Sequence, residues 1–579
     1  MRYAAVVPSI RTIPGVDVFD YAIPDGLDIA AGDLVPVRFR NQRLPGLVLE
    51  TRGTSDVAAK ARPLDGAPIV RLGPAAAVLL RRAAERTFSA LPTVLGAWLG
   101  HLPLRAWNMD GKETVDARPA AGPDAGAPRL HVSPARWDAD DGIAAAVRAA
   151  SGRRVILVPW RHRAERLAAR VGGTYVHGDL ADGAAWEALN GFFLNPEAVI
   201  VTTRRGAWLA SLADVAFVDE PENDDHKQEE LAPRLDARWT VAMAKLLRPA
   251  LAVHAFAVTP RLQAAAPPPA ADLSGVALVM DAWKRSGHSD IPELSAHTLD
   301  LVEEAAGAGR PILIIHPIEG DLSRIACRDC GWNATCSACA FSLSIRDRRA
   351  KCRSCGRTDE LPEACPKCGG TDLGKGRVGI DRLTEAVHRA WPDAAIRVRS
   401  LMAADAEGVA PGDLVVVTDL SRIGGGVEDI RRNERLAIAW RRICAMAKPA
   451  SALVVQGPED LLEKATAWLR PDGLAALWAA ELSDRAAFGY PPAAWTIKFL
   501  ADGEMPHAES LVSRLKKAIP PTWSVRGPHP VAHRASTRKT RHAIHLLPGP
   551  NTSEAEVRTH LARFARDGYI DLDPIAFFC

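Results

Sequence analysis

Short apolar runs alternate with turn signals along the first hundred residues. FDYAIPDGL (19–27), DLVPVRF (33–39) and LPGLVLE (44–50) read as strands of a small β-rich domain. A stretch of helical spacing, AAAVLLRRAAERTFSALPTVLGAWL (75–99), closes it. ARPAAGPDAGAP (117–128) has no periodicity and reads as linker. From about 130 the pattern becomes apolar strand-length runs, RVILVP, AVIVTT, VAFVDE and LAVHAFAVTP, separated by the helical RHRAERLAARV and DARWTVAMAKLL. Such alternation predicts a parallel sheet covered on both faces. It returns as PILIIHP, AAIRVRS, DLVVVTDL and SALVVQGP, with the helical ERLAIAWRRICAMAK between the last two. The last ninety or so residues change again. AWTIKFLA, HAESLVSRLKKAI, TWSVRG, RHAIHLLP, SEAEVRTHLARFARDG and YIDLD give β-α-β-β-α-β, a ferredoxin-like or related split sandwich.

The pattern therefore predicts a multidomain α/β chain. A β-rich domain spans 1–105, a linker 106–129, one α/β lobe 130–300, a second 301–485, and an α+β domain 486–579. Length agrees, since 579 residues are too many for one core. A net charge of +3 offers little global attraction to nucleic acid, so any binding must come from local basic patches. The opening MRYAAVVPSIRTIP has no apolar stretch long enough for a signal peptide. No window approaches the ~20 apolar residues of a membrane helix, so a cytoplasmic protein without membrane contact is expected.

Eight of the ten cysteines lie between Cys327 and Cys368, a clustering that points to metal rather than disulfides. CRDC (327–330), CSAC (336–339), CRSC (352–355) and CPKC (365–368) are four C-x-x-C knuckles. Each brings two thiolates to one tetrahedral ion, so four predict two structural zinc sites without an open position for water. Iron–sulfur ligation competes, but paired knuckles separated by hairpin-length loops favour zinc. Three of the knuckles are followed by Gly331, Gly356 and Gly369, which permit the tight turn that aims N–H groups at sulfur; the second has Ala340. Four knuckles can pair in three ways. The loop between Cys339 and Cys352 suits a ribbon hairpin, so Cys336, Cys339, Cys352 and Cys355 are expected on one ion. Cys327, Cys330, Cys365 and Cys368 then share the other. Trp332 is expected in the core of this module.

VAFVDEPENDDHKQ (215–228) ends an apolar run in Asp219-Glu220, as a parallel strand does when it delivers a metal-holding carboxylate pair to a nucleotide. Such a site needs a G-x-x-x-x-G-K-[ST] loop upstream for the phosphates and the magnesium. At that place the chain reads LHVSPARWDADDGIAAAV (130–147), with neither the glycines nor the Lys-Ser/Thr pair. GGTDLGKG (369–376) lacks the hydroxyl residue and leaves the cysteine module instead of following a strand. A triphosphate would also meet Asp138, Asp140 and Asp141, which repel it. ATP is therefore not expected, and Asp219-Glu220 is expected as solvated carboxylates at a sheet edge.

These residues resemble the PriA (primosomal protein N′) family of replication-restart proteins. FDY (19–21) with GDLVPVRF (32–39) is similar to the family's 3′-end-binding domain. VDEPENDDHKQ followed by PRLDAR (233–238) and AVTP (257–260) resembles worn helicase motifs. The cysteines match in order and spacing, and WSVRGPHPVAHR (523–534) with RHAIHLLP is similar to the C-terminal domain. The resemblance implies two degenerate RecA-like helicase lobes, with a double zinc-ribbon module, 327–368, inserted in the second. The P-loop is missing, WRRICAMAKPASALVVQ (440–456) keeps only neighbouring arginines of the last helicase motif, and Arg105–Leu130 leaves little room for the family's winged helix.

Carried over, Asp20 receives the 3′ hydroxyl of a nascent strand. A carboxylate accepts a hydrogen bond from a free hydroxyl, whereas an internal phosphodiester offers only negative charge. Phe19 and Tyr21 are expected to form a base-sized pocket beside it. RGPHPVAHRASTRKTRH (526–542) holds Arg526, Arg534, Arg538, Lys539 and Arg541 with no acid, and is expected as a basic loop for the phosphate backbone. Arg435, Arg441 and Arg442 are a weaker candidate. The resulting expectation is a non-catalytic protein that recognises abandoned or stalled forks with a nascent 3′ end. Its implied protein partners are the replicative helicase, its loader and single-strand DNA-binding protein. Competing readings are an ATP-dependent 3′→5′ helicase with atypical motifs and a zinc-ribbon adaptor for RNA or protein.

Overall fold

A computed structural model describes residues 2–10, 16–39, 42–100, 114–132, 136–229, 232–257, 271, 273–282, 291, 293–318, 325–327, 332, 334–336, 343–346, 349–352, 358–360, 362–371, 373–375, 378–423, 429–531 and 541–574. The chain is a multidomain α/β protein that divides into two compact units. One holds 1–132, 138–257 and 553–575; the other holds 133–137, 258–552 and 576–579.

In the first unit, a sheet runs in the order Phe19–Ile23, Arg2–Pro8, Gln42–Arg52, Asp33–Phe39, Val70–Arg71 and Val115–Asp116. Its second strand, RYAAVVP, escapes the sequence reading because its buried residues run continuously instead of alternating. The 75–99 stretch forms two helices, Pro74–Thr87 and Leu91–Leu99, divided where Phe88 turns left-handed and Pro92 begins the next helix. Trp98 of the second helix stacks on Trp208 at 5.7 Å, inside the largest hydrophobic core of the unit. Gly32 is obligatory: its φ is +86°, and a Cβ there would lie 1.8 Å from the Gly73 carbonyl oxygen. Part of the expected linker is pinned. Val115–Asp116 pairs with Val70–Arg71, and buried Arg153 donates to the Ala117, Phe192 and Phe193 carbonyls.

A second sheet of this unit is wholly parallel, in the order Arg129–Val132, Ala252–Ala257, Val215–Asp219, Arg154–Leu157, Val199–Thr202 and Thr174–Val176. Val215–Asp219 is thus an interior strand, buried throughout. Helix Arg161–Val171 forms where its periodicity predicts, burying Ala164, Leu167 and Ala168. Residues 553–574 fall in this unit. Their helix Glu554–Leu561 starts on a Ser553/Glu556 capping box and meets helix Pro74–Thr87 through Arg86–Glu554 and Arg558–Glu85 ion pairs.

The second unit is built on a parallel sheet ordered Ala277–Ala282, Ala452–Gly457, Leu414–Val417, Ile312–Ile315 and Ile396–Arg399. The strand Ala277–Ala282 falls in the expected first lobe (130–300) but pairs with Ala452–Gly457, so this lobe begins before 277 rather than at 301. Helix Arg432–Met446 carries the weaker basic candidates. Arg441 is buried and donates to the Trp468 and Leu469 carbonyls, and Arg435 pairs with Asp429 at 3.6 Å, so both serve the fold. Near the end of the unit, Ser524–Val531, Arg541–Leu547 and Ile497–Asp502 form an antiparallel array in that order. Ile497, Phe499, Ile544 and Leu546 are buried there, as are Leu511 and Leu515 of helix Met505–Ala518.

Candidate DNA-end site, metal centre and strand-end carboxylates

Phe19, Asp20 and Tyr21 lie on a strand paired antiparallel with Arg2–Pro8, so their side chains alternate between faces. Tyr21 is 4% exposed, sits in the core and donates its hydroxyl to the Arg38 carbonyl at 3.3 Å. Burial raises its phenol pKa, and nearby Arg62 opposes that shift. Phe19 packs edge-on against Phe39 at 4.8 Å on the same face. Asp20 points to the other face, where Ser55 Oγ donates to Oδ2 at 2.6 Å and Arg52 stands 3.8 Å from Oδ1. The three expected pocket residues therefore do not converge. Asp20 is gathered instead with Ser55 and Arg52, which nothing in the sequence marks beyond a polar turn after a strand.

Of the basic segment, Arg526 and Arg541 are described; Arg534, Arg538 and Lys539 lie outside the described residues. Arg541 is tied to Asp502 at 2.5 Å. Arg526 is exposed and stands opposite His545, which stands opposite Lys498, but His545 and Lys498 are both buried. The His529 ring lies 5.8 Å from that of His545.

In the cysteine module, Ile325–Cys327 pairs with Leu373–Lys375, and Leu343–Arg346 forms a hairpin with Arg349–Cys352. Cys327 of the first knuckle meets Cys365 and Cys368 of the fourth, all three sulfurs within 4.8 Å of one another, with Cys327 and Cys368 at 3.6 Å. Tetrahedral thiolates about 2.3 Å from an ion are about 3.8 Å apart, so this spacing fits a metal. The Lys367 N–H points to Cys365 Sγ at 3.4 Å, and Gly369 adopts φ +73°, the turn a knuckle needs. Buried Cys336 packs with Ala334, Leu343 and Ala350, and Trp332 lies against that cluster. Cys330, Cys339 and Cys355 lie outside the described residues, as does the side chain of Cys352.

The expectation of solvated carboxylates at a sheet edge is overturned. Asp219 and Glu220 are each 1% exposed at the end of an interior strand. Arg163 grips Asp219 bidentately, Nε to Oδ2 at 2.7 Å and Nη2 to Oδ1 at 3.2 Å. The rest of the acidic stretch is also engaged. Asn223 donates to Glu220 at 2.8 Å, His226 donates to the Asp219 carbonyl at 2.8 Å, and Trp160 donates to Asp225 at 2.5 Å. Lys227 reaches Asp571 Oδ1 at 2.8 Å and the Leu572 and Asp573 carbonyls at 2.7 and 2.5 Å. Arg234 stands 3.2 Å from the same carboxylate. Sequence reasoning missed these cations because their partners are remote in the chain.

Where a phosphate loop would sit, strand Arg129–Val132 is followed by helix Arg136–Ala149 after three residues, Ser133 to Ala135. Three residues are too few for a loop of the G-x-x-x-x-G-K-[ST] kind. Asp140 pairs with Arg163 and Arg166, and Asp141 with Arg170; the side chain of Asp138 is outside the described residues. The Asp219 carboxylate, which would meet the metal in such a site, is held by a guanidinium.

Two parallel sheets with helices and a cluster of three thiols spaced to hold a metal ion define a multidomain α/β protein. Residues 10–99 match the model of the 3′ DNA-binding domain (3′BD) of PriA. The chain is 34% identical over 104 residues to the replication restart protein PriA of Thermotoga maritima, and 25% identical over 221 residues to that of Bacillus subtilis. It is 27% identical over 235 residues to the probable replication restart protein PriA of Mycobacterium tuberculosis. These matches cover 18%, 34% and 36% of this chain and 14%, 27% and 36% of those relatives. The chain is thus similar to PriA replication restart proteins over part of its length. It shares well under two thirds of the length of these relatives.

Proposed function

We propose that this chain is a replication-restart protein that binds branched DNA at a free 3′ end and supports reloading of the replicative helicase without a motor of its own. The match of residues 10–99 to a 3′ DNA-binding domain carries the reading. Within that domain, Ser55 holds one oxygen of Asp20, leaving Oδ1 to accept from a terminal hydroxyl, while Arg52 lies beside it for the adjoining phosphate. An internal phosphodiester there would set negative charge against negative charge. Exposed Arg526 adds a sequence-independent contact for backbone phosphate.

The two parallel sheets are read as degenerate RecA-like lobes. The three-residue connection at 133–135 and the Arg163–Asp219 pair support the loss of nucleotide chemistry. Two structural zinc ions are assigned to the cysteine module, one to Cys327, Cys330, Cys365 and Cys368 and one to Cys336, Cys339, Cys352 and Cys355. When bound, each supplies folding energy, on the order of 10 kcal/mol, to a module with little core of its own. The replicative helicase, its loader and single-strand DNA-binding protein are the protein partners this reading names.

Forked DNA whose nascent strand ends in a 3′ hydroxyl, compared at matched salt with the same fork ending in a 3′ phosphate, tests the reading. A tenfold preference for the hydroxyl corresponds to about 1.4 kcal/mol and is the expected scale. Equal affinity for the two forks would remove the case for end recognition.

A further inference from the structure

We infer that Arg163 stands in for a divalent cation at the carboxyl end of the first unit's parallel sheet, an internal counter-ion that fixes a helix to the strand instead of leaving a metal site. The carboxyl ends of parallel strands are where open α/β sheets take their ligands. Asp219 is the last residue of the interior strand Val215–Asp219, and Glu220 follows it. Arg163 comes from helix Arg161–Val171, is 0% exposed, and spans two carboxylates. Its Nε and Nη2 meet both oxygens of Asp219, and its Nη1 meets Asp140 of helix Arg136–Ala149. One planar cation therefore joins a strand end and two helices. Burial works against the guanidinium charge, but Asp219, Asp140 and Glu220 outweigh it and keep the group protonated.

The geometry leaves no vacancy for a metal. A magnesium ion must approach its carboxylate to about 2.0–2.1 Å and resists losing its waters. Both Asp219 oxygens already accept from a fixed donor, and the Asp219 carbonyl accepts from His226. Glu220 acts on Arg163 through its charge and has anchors of its own. It adopts φ +49°, its amide donates to the Phe256 carbonyl at 2.7 Å, and its carboxylate accepts from Asn223. An arginine so placed has lost its water, so leaving would strand several buried charges. The lobe thereby keeps Asp219 neutralised with no bound ligand required.

The inference deepens the reading of a lobe without fuel, and it fails separately from that reading: ATP turnover bears on the missing motor, whereas its own test uses metal ion alone. Full-length, zinc-loaded protein is melted in millimolar Mg2+ or Mn2+ and in NaCl of matched ionic strength. The wild type is expected to show the same midpoint in all three. Arg163→Ala is expected to melt several degrees lower and to regain part of the loss with Mn2+, saturably, and Arg163→Ala/Asp219→Asn is expected to lose that response. Arg163→Lys, whose single ammonium cannot grip Asp219 bidentately while reaching Asp140, covers the case in which the alanine variant does not fold. It is expected to melt between the wild type and a fully disrupted lobe and to show weaker metal rescue. A wild type stabilised saturably by Mn2+, or Arg163 variants that respond to Mn2+ no more than to NaCl, would overturn the inference.

Discussion

Replacing Lys227 with methionine tests whether the acidic stretch after the interior strand serves as a structural hub. Lys227 is 6% exposed; its ammonium donates to the Leu572 and Asp573 carbonyls at 2.7 and 2.5 Å and forms an ion pair with Asp571 Oδ1 at 2.8 Å. Methionine keeps the length and volume but leaves Asp571, 1% exposed, with Arg234 as its remaining ion-pair partner at 3.2 Å, and two carbonyls without this donor. Breaking a buried pair from one side costs about 3–5 kcal/mol. For a unit of this size each kcal/mol moves the melting temperature about 2–4 °C, so a drop of about 6–20 °C is expected. Thermal melts and amide hydrogen exchange over 569–574 read the loss, the latter rising there first. Lys227→Met/Asp571→Leu removes both charges and should recover much of the loss. A Lys227→Met protein within about 0.5 kcal/mol of wild type, the range of surface substitutions, would refute the reasoning.

Three more expectations follow from the same geometry. Ser55→Ala should cut the preference for a 3′-hydroxyl fork several-fold and Asp20→Ala should abolish it, both sparing blunt duplex; equal loss on forks and blunt ends would count against the site. Metal analysis should find two zinc ions per chain, falling to one in Cys365→Ser and to one in Cys336→Ser, and loss of both ions from either variant would contradict the pairing. Burial, ahead of nearby positive charges (Arg129 for His131, His131 and Arg129 for His254, Arg238 for His226), lowers the pKa of all three rings. Their contribution to stability is therefore complete above the unfolded value of about 6.5 and is lost as pH falls through the lower folded values. The urea midpoint should decline on acidification below about pH 6.5, and a midpoint that is flat or rising would show that these rings carry no such linkage.

Much of the fold is legible because parallel strands buried on both faces announce themselves as Val/Ile runs. Arg161–Val171 begins and ends where its spacing says, and all six terminal elements appear in the order read from the chain. Thr174–Val176 is too short to give a periodic signal. The strand Ala277–Ala282 looks local but pairs with Ala452–Gly457, a choice set by non-local packing that no window contains. The site divides along the same line. The fourth knuckle and its glycine show in spacing alone, because their chemistry lies within a few residues. Asp219 gives no such warning, since its counter-ion lies 56 residues upstream on a helix whose pattern looks ordinary. Asp20 and Tyr21 are adjacent in sequence, and strand alternation sends one toward Ser55 and the other into the core.

The central claim is that the chain grips forked DNA without consuming nucleotide. Phosphate release from labelled ATP, measured with zinc-loaded protein held on saturating fork that carries a nascent 3′ hydroxyl, tests it most directly. Complete fork binding is expected, with release no faster than in the protein-free control. Release that rises with fork concentration and saturates as binding does would contradict it.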